Sequence, residues 1–156
     1  MTTTTEQVFV RPSSFERAFN RVLGGLIRLG LALPHNYLVQ VRGRKTGRLY
    51  SAPIDLVEMG DRRFLVCPRG RTQWARNAQA SGEVSLKKGC SRRMFTVRSL
   101  PDAEKPEILK RYLDRFKLTV QRFFPLPAGS PADAFAELAS RYPVFELTAA
   151  ADSRQQ

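Results

Sequence analysis

The feature that most constrains this chain is a succession of five short strand-like segments between residues 37 and 98, three of them closed by a glycine turn. Tyr37-Leu38-Val39-Gln40-Val41-Arg42 is rich in β-branched and aromatic residues and runs into the glycine-bounded turn Gly43-Arg44-Lys45-Thr46-Gly47. Residues 48–58 read as a second strand, in which Pro53 marks an edge, a bulge or a break. Gly60-Asp61 turns the chain into a third strand over 63–67, ended by Pro68. Residues 83–87 and 93–98, joined through Lys88-Gly89, make a fourth and a fifth, and 143–147 a last one. Helical patterns fall over 73–80, with Thr72 as cap and Gly82 as stop, from an Asp102 cap to about 122–124, and over 131–140. Strands this closely spaced pair as antiparallel hairpins, and no βαβ rhythm points to a Rossmann sheet. The natural solution is a mainly β, α+β fold: a closed or curled antiparallel sheet of about six strands with three or four helices around it, because closure removes exposed edges.

A length of 156 residues fits one domain, and a 42% hydrophobic content is enough for a core. The expected layout is a disordered tail over 1–12, a single domain over 13–148 and a frayed tail over 149–156. Ser13-Ser14 caps an amphipathic helix reaching to about residue 33, with Phe15, Phe19, Val22, Leu23, Leu26, Ile27 and Leu31 at helical spacing. That helix either packs on the core or lies as a basic amphipathic helix on a membrane surface. Its apolar stretch is interrupted by glycines and Arg28 and is too short to span a bilayer. No secretory signal is legible. The expected location is the cytoplasm, with peripheral contact at the inner face of the membrane through the 13–33 helix.

Charge narrows the partner. There are 26 Lys+Arg against 14 Asp+Glu, a net +12, and arginines outnumber lysines 20 to 6. A balance like this suits an anionic partner, and Arg presents a planar fork matched to phosphate and carboxylate. No helix-turn-helix, RRM aromatic motif or zinc knuckle is present, so no specific nucleic-acid binding is expected. Two cysteines and one histidine make neither a disulfide framework nor a metal site, and His35 reads as a loop histidine rather than a haem ligand.

Two basic constellations carry chemistry. Arg42-Gly43-Arg44-Lys45-Thr46-Gly47-Arg48 packs four cations and two glycines into one turn; it reads either as an anion grip or as a solvated hairpin tip. It is not a phosphate-binding loop of the Gly-x4-Gly-Lys-Ser/Thr kind. Pro68-Arg69-Gly70-Arg71-Thr72-Gln73-Trp74 follows a strand and opens a helix, where basic residues and helix amides suit an anion. The single Trp74, with Asn77 three residues on, is either core or the wall of a flat aromatic ligand.

Gly43-Arg44-Lys45-Thr46-Gly47, then Pro53, the Gly60-Asp61 hairpin, Trp74-x-x-Asn77 with Ala80 and Gly82, and the closing Arg141-Tyr142-Pro143-Val144-Phe145-Glu146-Leu147 together resemble the deazaflavin-dependent nitroreductase and quinone reductase family, over roughly residues 35–148. The resemblance implies a split β-barrel like those that bind flavins. It implies coenzyme F420 as cofactor, with FMN the weaker candidate, and hydride transfer to a quinone, nitroaromatic or activated enone as small-molecule electron acceptor. Arg44, Lys45, Thr46 and Gly47 match the turn that grips the phosphate and tail. Pro53 matches a residue beside the deazaflavin ring. Val66, Cys67, Pro68, Arg69, Gly70, Arg71 and Thr72 match the strand end and loop by ring and phosphate, and Trp74 and Asn77 the helix near the cofactor. Tyr37, Tyr50 and Tyr142 are candidate proton donors. Asp55 departs from the pattern, since an aromatic often stands there, and an acid sits badly beside an electron-rich ring unless it faces away. A non-catalytic split-barrel module holding a fatty acid or another small ligand is the alternative. Monomer and homodimer both remain open.

Overall fold

A computed structural model describes residues 17, 21, 22, 24–26 and 34–151 of the 156. The tail expected over 1–12, most of the helix expected over 13–33 and the end of the C-terminal tail lie outside the described residues; those described within 13–33 are helical. Six strands, β1 (Asn36–Arg42), β2 (Leu49–Met59), β3 (Arg62–Val66), β4 (Glu83–Lys88), β5 (Ser91–Ser99) and β6 (Val144–Ala149), form a closed antiparallel barrel in the order β1-β2-β3-β6-β5-β4. From residue 34 on, two α-helices, α1 (Gln73–Ser81) and α2 (Pro106–Val120), pack on it, with short 3-10 segments at Asp102–Glu104 and Gln121–Phe123 and a longer one at Ala132–Arg141.

Alternation along the strands sorts side chains into two cores. Inside the barrel lie Val39, Val41, Leu56, Leu65, Val84, Leu86, Phe95, Phe145 and Leu147, together with Ala75 and Ala78 of α1. Small alanines on one face let α1 approach closely. Thr72 Oγ accepts from the Ala75 amide at its start, and Gly82 ends it in the left-handed region at φ +73°. The second core lies outside the barrel. There α2 and the 132–141 segment cover the outer faces of β2, β3 and β6 through Val57, Phe64, Val66 and Val144. An aromatic file runs through this layer: Phe135 to Phe124 (6.2 Å between centroids), Phe124 to Tyr112 (6.2 Å), Tyr112 to Phe116 (5.4 Å) and Phe116 to His35 (4.7 Å).

The helices correct the sequence reading in three places. Asp102 does not cap α2. It sits in a 3-10 turn after Pro101 and accepts from Lys105 Nζ at 2.7 Å, while Pro106 takes the first helical position and lacks the amide that a cap would satisfy. α2 is kinked at Phe116 (φ −111°, ψ 21°) and passes into a 3-10 turn before residue 124. The helix expected over 131–140 is a 3-10 segment. At the C-terminus, β6 runs through Ala149, and the Ala150 amide still donates to the Met94 carbonyl.

Across the β3–β6–β5 surface, Glu146 accepts from Arg62 Nε at 2.7 Å and from Arg98 Nη2 at 2.6 Å. The hydrogen bonds from Arg62 and then Arg98 hold its carboxyl down to about 2. A depressed folded value gives stability above the ordinary value of 4.5 that is lost as pH falls through the folded one. Because both guanidiniums are more than half exposed, Glu146→Gln should cost only about 1 kcal/mol at pH 7. Urea unfolding should show that cost shrinking between about pH 4.5 and pH 2; a cost unchanged at pH 2 would mean that shape, not charge, is at stake.

Candidate active site

A cavity of about 300 Å³ opens between β2, the loop after β3 and the C-terminal end of α2. Its existence follows from strand lengths. β2 has eleven residues, but β3 pairs only with Leu56–Met59, so the first half of β2 overhangs and, among the described residues, keeps β1 as its only strand partner. Pro53 sits within that overhang. Leu56 donates to the His35 carbonyl, so by antiparallel alternation Pro53, three residues back and opposite Leu38, is a non-hydrogen-bonded position whose missing N–H points away from β1. That is where a strand tolerates proline at no loss of ladder bonds.

The opposite wall comes from the segment after β3. Cys67 donates its amide to Pro143, Gly70 donates to Cys67, and Thr72 donates to Gly70, so a tight loop leads straight into α1. Gly70 has φ +84°, which explains the glycine between the two arginines. Trp74 stands in the first turn of α1 with its ring 6.0 Å from that of Phe145. Phe123 contributes an aromatic surface with the guanidiniums of Arg69 and Arg122 at 4.7 and 4.8 Å from its centroid. Walls of Pro53, Val66, Trp74 and Phe123 with two arginines among the lining residues accept a flat ring carrying an anionic arm. Cys67 lines the cavity, but burial raises its thiol pKa, so it stays neutral and is no nucleophile.

Asp55 does not face away. It lines the cavity together with His35 and Asn36. Register brings them together: Asn36 pairs directly with Asp55, the Asn36 side-chain amide donates to Asp55 Oδ1, and His35 Nε2 lies 3.6 Å from the same oxygen. Burial raises the Asp55 carboxyl, against the opposing pulls of His35 and Asn36. Tyr112, fully buried on α2, is raised well above its ordinary value by the same burial, with Asp55 and Cys67 adding to it.

Of the fourteen residues that the sequence offered for the cofactor, the structure gathers seven on this cavity: Pro53, Val66, Cys67, Pro68, Arg69, Thr72 and Trp74. It does not bring the 43–47 turn there. The Arg44 amide and Nη1 both donate to Asn77 Oδ1, at 3.2 and 2.8 Å, and Nη1 also reaches Gln73, so the turn is strapped to α1. Thr46 Oγ accepts from the Arg48 amide, and the Gly43 and Gly47 amides are spent closing the turn; Lys45 is exposed. Asn77 is buried and acts as that strap. Asn77→Ala should therefore cost about 1–3 kcal/mol in chemical unfolding, because the Arg44 amide loses its acceptor. Arg71 lines a different cavity, of about 260 Å³, with Arg76 and Lys105. Of the tyrosines, Tyr142 is buried and donates to the Phe123 carbonyl, Tyr50 is exposed beside Gly43, and Tyr37 lies under Lys88. Sequence reading passed over Tyr112, Thr119, Val120, Arg122 and Phe123, which line the cavity from α2 and the turn after it, and over the placement of His35, Asn36 and Ile54.

A closed six-stranded antiparallel barrel with a ring-shaped pocket beside an overhanging strand defines a split barrel of the flavin-binding class. Solved structures share it. The chain superposes on protein Atu2129 from Agrobacterium tumefaciens, of unknown function, with TM-score 0.55 and 14% identity, covering 91% of this chain and 58% of that one. It superposes on an F420-H2 dependent reductase, FDR-A, with TM-score 0.51 and 19% identity over 74% of this chain and 95% of that one. The heme storage protein HutZ from Vibrio cholerae aligns with TM-score 0.53 and 12% identity, over 75% and 82%. No curated protein matches the sequence significantly. Residues 14–117, two-thirds of the chain, match the F420H(2)-dependent quinone reductase family, and the chain belongs to that family. It is an oxidoreductase that uses coenzyme F420, and the apolar walls and paired arginines of the cavity fit a deazaflavin ring with an anionic arm.

Proposed function

We propose that this chain reduces a quinone with the reduced deazaflavin held in the 300 Å³ cavity. The observation that carries the reading is the convergence of Pro53, Trp74 and Arg69 on one cavity with Phe123 and Arg122. Pro53, Trp74 and Phe123 bracket a planar ring and exclude water from it. Arg69 and Arg122 hold the anionic arm by charge-assisted hydrogen bonds. The bound coenzyme supplies the hydride; the protein contributes grip, orientation and a dry pocket. An acceptor with a flat conjugated ring enters over the same apolar walls, which favours quinones and leaves nitroaromatics and activated enones as rivals for the same place. The reaction belongs in the cytoplasm at the inner face of a membrane, where apolar quinones partition and where a net +12 is drawn to anionic lipid. Among the described residues no helix is long and apolar enough to cross a bilayer.

Titrating the purified protein with oxidised coenzyme F420, and with FMN in parallel, tests the reading through Trp74 emission. Saturable quenching by F420 alone is expected, followed by faster turnover with quinones than with nitroaromatics. No quenching from a folded protein, or equal quenching by FMN, would overturn it.

A further inference from the structure

We propose that Asp55 is the proton donor of this cavity, delivering a proton to the oxygen of the reduced acceptor, with His35 relaying its replacement from solvent. The inference rests on the quinone reductase reading above. Reduction of a quinone to the hydroquinone adds one hydride and one proton overall: the hydride would come from the reduced coenzyme with its electron pair, and the oxyanion left on the acceptor needs the proton. That proton must reach an oxygen inside a pocket walled by Pro53, Trp74 and Phe123. Oxidation of the bound coenzyme would free one proton to solvent, which matches the one that His35 takes up, so the overall balance closes.

Three observations single out Asp55. It is the one carboxyl among the described residues lining the cavity. Only Oδ1 is engaged: Asn36 donates to it and His35 Nε2 stands 3.6 Å from it, while no described residue donates to Oδ2. The Asn36 amide and the Asn36–Asp55 register hold the carboxyl at the cavity wall. In the step, the Asp55 O–H bond breaks, an O–H bond forms on the acceptor, and Asp55 is left as a carboxylate beside His35. The imidazole, a quarter exposed, returns a proton taken from water. Burial raises the Asp55 carboxyl and so works toward the neutral acid, against the pulls of His35 and Asn36. The other titratable or charged groups lining this cavity are Tyr112 from α2, Cys67 and Arg69 from the loop after β3, and Arg122 from the turn after α2. Burial keeps Tyr112 and Cys67 protonated, so neither competes as a relay.

Asp55→Asn keeps an acceptor for Asn36 and the shape of the site, and His35→Gln removes the relay alone. Carbon-13 NMR of the side-chain carboxyls in the cofactor-free protein should show Asp55 titrating above the ordinary aspartate value, and His35→Gln should move that midpoint upward, since His35 pulls it down. With coenzyme bound, Asp55→Asn should leave the F420 dissociation constant within about twofold. It should lower the single-turnover rate with a quinone by roughly 100-fold, within the usual span for a lost general acid. The wild-type rate should fall as pH rises through the Asp55 midpoint, and the Asn variant should be flat there. Normal F420 binding with an unchanged rate and pH profile in Asp55→Asn would overturn the assignment while leaving the reductase reading standing; loss of F420 binding by the wild type would instead remove that reading. An Asp55 midpoint at or below the ordinary value, unmoved by His35→Gln, would also overturn it.

Discussion

Truncating Phe135 to alanine should lower the unfolding free energy by about 3–5 kcal/mol, the largest stability loss expected of a single change in this barrel. Phe135 is completely buried and anchors the aromatic file that ends at His35. The lost ring removes both its transfer energy and its edge contact with Phe124, and a 3-10 segment on one side and α2 on the other cannot close over the void. For a chain of this size the melting temperature should drop by roughly 10 °C, measured by circular dichroism. A loss below about 1 kcal/mol would show that the outer layer is loosely packed and that the file does not set the back wall of the cavity.

Arg69→Ala should raise the F420 dissociation constant by roughly 10- to 100-fold, which is the weight of one charge-assisted hydrogen bond. Arg69 is half-buried and lies along Phe123, so its fork is positioned before the ligand arrives and little ordering remains to be done on binding. The effect should diminish as salt rises, because part of it is charge attraction. Arg63→Ala, on the Glu58 side of β3, is the control and should leave binding unchanged. Equal affinity of the Arg69 variant and the wild type would move the anionic arm elsewhere, to the 260 Å³ cavity with Arg71 and Arg76 or to the exposed Lys45.

The barrel was legible because its signals are local. Alternating strands between Gly43–Gly47, Gly60–Asp61 and Lys88–Gly89 turns, and the Thr72 and Gly82 caps of α1, need only a few neighbouring residues to act. The resemblance in the 53–74 region also named half of the cavity wall. The other half is set by packing across the chain. In α2, Tyr112 and Val120 repeat at the same spacing as Ile108 and Phe116, so one apolar stripe serves both core and pocket, and periodicity cannot divide it. The 43–47 turn looked like an anion grip because its residue types are right; the amides of Gly43, Arg44 and Gly47 turn out to be spent on the turn itself and on Asn77. The Asp55–His35 meeting was within reach of the sequence. Counting pairs outward from Arg42 and Leu49 at the base of that turn puts Asn36 opposite Asp55 and His35 beside it. The barrel was read without following that register to its end.

The overhanging half of β2 has a consequence beyond the pocket it frames. Between Leu49 and Asp55 the strand has one side paired to β1 and, among the described residues, no strand on the other. An open side of this length, with Leu49 and Tyr50 exposed, is the kind of surface to which an unfolded or partly folded chain adds itself. Pro53 sits in the middle of it and offers no amide there. The residue that shapes the ring site also leaves a gap in the template for cross-chain assembly, so a Pro53 substitution that restores the N–H puts solubility at risk as well as cofactor affinity.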